Sequence, residues 1–324
     1  MMAVHLTLEE REIIAQMHWA GKMQTQIADR LGRDKSTISR ELRRNRSRNG
    51  YWAGAAQRKA QRRRSERPWV AKMQRPEVRR YVADRLRQRW SPDEIAGRSR
   101  SDFPRDRRRH VSPPTIYAWI RDEEARGRHW RRYLRRLGRK RPEWEKRGRL
   151  PASASIEGRP AVVDRRTRFG DWEGDTIVGA NRRGGAVTLV ERKSGYLLLG
   201  KVPNLQAATV RQAAARRYAT TPAALRKTLT LDNGKEFAEH ERLEVEAALK
   251  VYFAKPYCAW QRGTNENTNG LVRQFFPKGT DLANTPEHRF TKVQQLLNDR
   301  PRKRLGYRTP NKVLASRLKV AIET

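Results

Sequence analysis

Three carboxylates in the C-terminal half of the chain, Asp175, Asp232 and Glu266, are the residues best placed to do chemistry. Asp175 stands in Gly170-Asp171-Trp172-Glu173-Gly174-Asp175-Thr176-Ile177-Val178-Gly179, where the β-branched run after it reads as a strand. Asp232 closes the short strand Leu229-Thr230-Leu231 and is followed by the turn pair Asn233-Gly234. Glu266 lies near the start of a helix that also carries Leu271, Val272, Phe275 and Phe276. A parallel strand ending beside the first would bring Asp175 and Asp232 together, and the helix can deliver Glu266. Clustered carboxylates are hard oxygen ligands and suit Mg²⁺ or Mn²⁺. Two such ions about 3.5–4 Å apart clamp the attacking and leaving oxygens of an in-line phosphoryl displacement. Taken singly, any one of these acids also reads as a surface charge or a helix cap. Asp171 and Glu173 are left with that reading, and Asp232 also fits plain turn chemistry.

The elements that must position these acids follow from periodicity. Residues 186–190 and 196–201 read as two further strands, a three-strand meander with Asp175 on its first member. An alanine-rich helix at 205–219, a helix at 241–250 and a strand at 251–254 complete an α/β pattern.

Charge says what such a domain would act on. The 324 residues include 73 Lys and Arg against 35 Asp and Glu, a formal net charge of +38. Such an excess favours a polyanion, most commonly nucleic acid. It is larger in residues 1–170 (46 basic, 20 acidic) than in 171–324 (27 basic, 15 acidic). The densest basic block, 130–149, is broken by Gly138, Pro142 and Gly148 and reads as a linker. On charge alone, Arg262, Lys278 and the block at 301–308 read as phosphate contacts. One cysteine, Cys258, excludes an intramolecular disulfide framework and a Cys-rich zinc site, and fits a reducing compartment. No run of apolar residues is long enough to span a membrane, and Glu9 and Glu10 come before any signal-peptide core.

Residues 7–44 read as three short helices. Thr7 with Glu10 forms a capping box, Gly32 stops the second helix and Asp34 caps the third. In that third helix Ile38 and Leu42 face inward, leaving Lys35, Ser36, Thr37, Ser39, Arg40 and Arg43 outward. A short turn followed by a helix with a Ser/Thr/Arg face suits the major groove of double-stranded DNA. A second, weaker copy lies at 90–121. There Ser91-Pro92-Asp93-Glu94 starts one helix, and Thr115 precedes the apolar face of Ile116, Trp119 and Ile120.

These segments together resemble the transposases of the insertion-sequence-thirty family. The carrying stretches are 6–43, 170–179, Leu231-Asp232-Asn233-Gly234-Lys235-Glu236-Phe237, the block Gly263-Thr264-Asn265-Glu266-Asn267-Thr268-Asn269-Gly270 within 260–279, and 301–310. The 33 residues between Asp232 and Glu266 match the family spacing. The resemblance implies a multidomain protein in which N-terminal all-α helix-turn-helix modules precede an α/β RNase H-like catalytic domain. The expected boundaries are a first module at 1–50, a second at 51–129, a basic linker at 130–159 and the catalytic domain at 160–324. It implies a DDE triad of Asp175, Asp232 and Glu266 that is both catalytic and metal-ligating, with two Mg²⁺ for which Mn²⁺ substitutes. The implied partners are the element's inverted-repeat ends, target DNA and further copies of the chain in a synaptic complex. The implied setting is the bacterial cytoplasm and nucleoid. Two alternatives stay open at this point: a helix-turn-helix regulator whose C-terminal domain serves assembly only, and a simple nuclease of the same fold. The intact triad disfavours the regulator.

Overall fold

A computed structural model describes residues 5–65, 69–135, 155–255 and 263–322. Cys258, Arg262 and most of the basic block at 130–149 lie outside the described residues. The chain divides into two compact units, Met1–Ala71 and Lys72–Thr324.

The first unit is helical: α1 (Leu8–Trp19), α2 (Gln24–Leu31), α3 (Lys35–Asn45) and α4 (Ala53–Ser65). The expected stops and starts are present. Thr7 and Glu10 close the capping box, Gly32 takes the left-handed conformation that ends α2, and Asp34 accepts from the Ser36 amide at 2.7 Å. The core joins Ile14, Ile27, Ile38 and Leu42 to Tyr51 and Ala56. One ion pair is buried within it: Arg11 meets Glu41 at 2.8 Å, and the Tyr51 hydroxyl donates to the same carboxylate at 3.0 Å. Burial and that carboxylate push the Tyr51 hydroxyl's pKa well up. Tyr51 and Ala56 therefore belong to the first unit, and the boundary expected after residue 50 falls after Ala71.

The second unit begins with α5 (Trp69–Gln74, its start shared with the boundary), α6 (Pro76–Arg87), α7 (Pro92–Asp102) and α8 (Pro113–Ala125). Ser91 caps α7 as expected, with proline at the first helical position, and Glu94 completes a capping box with it. Val82, Leu86, Ile95, Ile116 and Trp119 build a core that Trp130 extends, its ring 5.1 Å from that of Trp119.

After α9 (Ala161–Arg165) comes a five-stranded mixed sheet. Its strands are β1 (Asp171–Val178), β2 (Gly185–Glu191), β3 (Leu197–Val202), β4 (Thr228–Leu231) and β5 (Lys250–Phe253), in the order β3-β2-β1-β4-β5. β1, β2 and β3 form the antiparallel meander, while β4 and β5 run parallel to β1. Alternation along each strand separates two faces. Trp172, Val187, Leu189, Leu229 and Leu231 face α10 (Ala207–Ala219) and α11 (His240–Ala247). Ile177, Ala186, Val190 and Leu197 face α12 (Gly263–Val272) and α13 (Glu287–Asn298). α14 (Pro310–Ile322) ends the described chain.

Two expected boundaries change here. The helices α6 to α8 share a compact unit with the sheet. Arg300 meets Glu94 at 2.8 Å, and the Tyr307 ring lies so close over Gly97 that a Cβ there would come within 2.3 Å of it. The block at 301–308 thus docks α7 as well as carrying charge. The described ends of the expected linker are also structured: Trp130 packs on Trp119, and at the other end Ser155 bridges Phe253 while Arg159 donates to Thr230 at 2.8 Å.

Candidate active site

β1 and β4 pair in parallel as Asp171 with Thr228, Trp172 with Leu229 and Glu173 with Thr230. Asp175 stands two residues beyond Glu173 on β1, on the face covered by α12, and Asp232 directly follows the last residue of β4. Asp175 is half-buried and accepts from the Thr176 amide at 2.8 Å and from the Asn269 side-chain amide at 3.0 Å. Asp232 sits where β4 ends, and its Oδ1 accepts from the Gly234 amide at 3.2 Å. The turn reading of Asp232 is satisfied by this bond.

α12 is fastened to the sheet by two asparagines. Asn265 is fully buried; its backbone amide donates to Glu173 at 2.8 Å and its side-chain amide to the Glu173 carbonyl at 3.0 Å. Asn269, four residues on and so on the same face, takes the Thr188 hydroxyl at 2.8 Å and donates to Asp175. Glu266 follows Asn265 directly. A rotation of about 100° places it beside the anchored face, where it is exposed. No group of three His, Cys, Asp or Glu close enough to hold a metal ion occurs among the described residues. Asp175 thus lies on β1, Asp232 just after the neighbouring β4 and Glu266 on α12, which packs on β1, and the three carboxylates are not drawn onto one point.

A fourth acid stands here. Glu236 accepts from the Thr176 hydroxyl at 3.0 Å. A Cβ on Gly234 would meet Glu236 Oε2 at 2.5 Å and Asp232 Oδ1 at 3.0 Å, so both carboxylates converge on the gap that this glycine leaves.

The helix-turn-helix surface is arranged as its residue pattern implies. In α3, Ile38 and Leu42 are buried, Lys35, Ser39, Arg40 and Arg43 are exposed, and Ser36 and Thr37 are half-buried beside the Asp34 cap. Arg63 donates to the Arg44 carbonyl at 3.1 Å and to the Asn45 side chain, tying α4 to the end of α3. Thr115 is half-buried in the first turn of α8, with its hydroxyl 2.7 Å from that of Ser112. That hydroxyl is part of a cap.

Residues 4–45 match a family model described as a helix-turn-helix domain. The chain is 39% identical over 325 residues to the transposase for insertion sequence element IS4351 of Bacteroides fragilis, covering 96% of this chain and 95% of that one. It is 39% identical over 320 residues to transposase InsI for insertion sequence element IS30A of Escherichia coli K12, covering 96% and 83%. It is 41% identical over 300 residues to the transposase for insertion sequence element IS1086 of Cupriavidus metallidurans, covering 89% and 88%. The chain belongs to the insertion-sequence-thirty family of transposases.

In this transposase, Asp171 and Glu173 are not the surface charges that their isolated reading suggests. Asp171 is buried, held by Arg168 at 2.9 Å and by the Thr228 hydroxyl at 2.8 Å. Glu173 is fully buried, 3.2 Å from Arg192. Burial lowers the Arg192 pKa, and the Glu173 charge opposes that shift. Glu173 also holds Asn265, so it fixes the helix that carries Glu266. Asn265, Asn269, Thr188 and Glu236 were not singled out by residue type. The available signal was the i, i+4 spacing of two asparagines around Glu266, together with the alternation of Asp171, Glu173 and Asp175 on one strand face.

Proposed function

We propose that the sheet domain of this transposase is an RNase H-like catalytic domain of the DDE class, with Asp175, Asp232 and Glu266 as its catalytic acids. The observation that supports this reading is the parallel pairing of β1, which carries Asp175, with β4, which Asp232 follows, beside a helix pinned through Asn265 and Asn269. The donor set fits a divalent cation such as Mg²⁺ in kind: all three side chains offer hard oxygens, and Asp175 and Asp232 belong to, or directly follow, two paired strands. When bound, the ions supply the positive charge that neutralises the phosphodiester and stabilises the attacking and leaving oxygens.

The protein's own residues divide the remaining work. Asn269 orients the Asp175 carboxylate, and Asn265 and Glu173 fix the height and rotation of α12. The helix-turn-helix surface holds the inverted-repeat ends of a mobile element through Lys35, Ser36, Thr37, Ser39, Arg40 and Arg43, with the second helical module and Thr115 alongside. Joining two ends to one target needs two active sites, so the working form is a homo-oligomer on DNA. The test is a strand-transfer assay with pre-cut element ends, target duplex and Mg²⁺. Joined product is the expected result, and cutting without joining would indicate a nuclease instead.

Activity in that assay requires Mg²⁺ or Mn²⁺. Ca²⁺, larger and looser in its coordination, is expected to support binding with little chemistry. Full strand transfer in excess chelator would overturn the metal-dependent reading.

The Arg40→Ala chain is expected to discriminate element-end from scrambled duplex by about 1–3 kcal/mol less than wild type, as loss of a base-edge contact does. Arg64→Ala, exposed and, among the described residues, with its side chain bonded only within its own helix at the Ala60 carbonyl, is expected to weaken both duplexes alike and to reduce the salt slope. Arg63 is unsuited to that comparison because it ties α3 to α4. Paired titrations at several salt concentrations measure both effects. An Arg40→Ala chain that lost affinity for both duplexes equally would move sequence reading elsewhere.

A further inference from the structure

A cavity of about 140 Å³ opens against the first turn of α12, walled by Arg166, Arg302 and Arg304 together with Thr264, Asn267 and Thr268. No carboxylate lines it among the described residues. The nearby acids are already committed: Glu173 to Arg192, Glu94 to Arg300 and Asp164 to Arg159. Arg302 donates to the Leu297 carbonyl at 3.1 Å, and Arg304 to the Arg192 and Lys193 carbonyls at 3.3 and 2.9 Å. These bonds to neutral groups fix two guanidiniums in place; Glu94 acts on the charge of Arg302, and Glu191 and Glu173 on that of Arg304, with no carboxylate hydrogen-bonded to either among the described residues.

The crowding has a measurable signature. Burial first, then the Arg300, Arg304 and Arg135 charges, pull the Arg302 pKa down to about 10, against a weaker opposing pull from Glu94. Burial and Arg166 lower that of Arg304. At Gly195, a Cβ would lie 2.7 Å from Arg304 Nη2, so the missing side chain is what admits the guanidinium. The Thr264 hydroxyl is buried without a hydrogen-bond partner among the described residues. Like charges held together around an open volume, with an orphaned donor on its wall, make a receptor for an anion. Planar guanidinium forks match the paired oxygens of a phosphate group.

We propose that this pocket seats one phosphodiester of the DNA strand that crosses α12 at Glu266, a positioning site for the reaction. The assignment rests on the transposase reading of the acids. It favours a strand over a free anion because Arg166 and Asn267 form an exposed rim, and because the pocket opens against α12, the helix that also carries Glu266. A phosphate held there fixes the neighbouring nucleotides against the acids within a turn of helix. Arg302 and Arg304 would supply the fixed charge, and Arg166 the contact at the mouth.

The test uses the full-length chain and an element-end duplex in which single phosphates are replaced, one at a time, by uncharged methylphosphonate. Arg166→Gln is the variant, because Arg166 is exposed and its side chain makes no hydrogen bond or ion pair among the described residues. One substitution near the cleavage position should lower wild-type affinity about tenfold and leave the variant unaffected. The variant's log–log salt slope should also be shallower by about 0.9, one phosphate contact. An identical interference pattern and slope in both chains would overturn the proposal. Inorganic phosphate, titrated at constant ionic strength, is expected to compete poorly. Release of the contact by millimolar phosphate with no position-dependent interference would assign a free-anion site and also overturn the strand assignment. Failure of the wild-type chain to bind the end duplex above scrambled DNA would instead refute end recognition, and the proposal with it.

Discussion

Asp175→Asn, Asp232→Asn and Glu266→Gln are each expected to abolish cleavage and strand transfer while leaving affinity for the element's ends close to wild type. The acids sit on the sheet and on α12 of the second unit, whereas the α3 surface belongs to the first, so chemistry and end reading separate in the measurement. The sharper arm of the experiment concerns Asn269. It donates to Asp175 at 3.0 Å and takes the Thr188 hydroxyl, so it acts on the reaction through the orientation of a carboxylate. Loss of such an outer partner typically costs about 10–100-fold. Asn269→Leu should therefore slow strand transfer by about 10–100-fold at saturating Mg²⁺ and raise the Mg²⁺ concentration needed for half-maximal rate. Asn269→Asp, which keeps shape but places a second carboxylate against Asp175, should fare worse than its isosteric change suggests, through like-charge repulsion. Near wild-type transfer by any triad variant would refute the acid assignment. An Asn269→Leu chain with an unchanged Mg²⁺ requirement would show that Asn269 only holds α12 in place.

What the residues disclosed in advance was mostly local. The strand pattern located β1, β2 and β3, and caps at Thr7, Asp34 and Ser91 marked helix starts that the structure contains. Such features depend on neighbours a few positions away. The environments of Asp171 and Glu173 depend on distant ones. Each carboxylate is tolerable in the interior only because a guanidinium reaches it: Arg168 for one, Arg192 from the end of β2 for the other. A single buried charge is costly, and a pair with further hydrogen bonds is not. Residue type alone favours the surface for both acids. The period of two along β1 was the counter-signal, since it puts Asp171 and Glu173 on the face of Asp175, which α12 covers.

The domain boundaries were less legible for a related reason. A boundary is set by which apolar residues share a core, and Tyr51 and Ala56 fill the first unit's core from beyond the expected break. Charge density likewise suggested a linker at 130–159, yet Trp130 packs on Trp119 and Arg159 reaches β4. Arginine-rich composition does not distinguish a solvated run from one whose aromatic members are packed.

The same argument makes the contact between α7 and the loop before α14 a place where stability and chemistry meet. Arg300 is almost wholly buried; it donates to Glu94 at 2.8 Å and to the Gln274 side chain at 2.8 Å. Glu94 also accepts from the Ser91 amide at 2.7 Å, so one carboxylate both closes the α7 capping box and holds the sheet domain. Removing one partner strands the other charge in the interior, a loss of about 3–5 kcal/mol. Glu94→Ala is therefore expected to destabilise the second unit by that amount and to speed amide exchange in α6 to α8, with the first unit's core unchanged. The double variant Glu94→Leu with Arg300→Met should cost less than the two single changes together, because no unpaired charge remains. Strand transfer should follow the same order, since Arg300 also fixes Gln274, two residues beyond α12. Denaturant unfolding, with exchange read separately for each unit, distinguishes the outcomes. Additive costs in the double variant, or an effect spread equally over both units, would mean that the pair does not couple the helical module to the sheet.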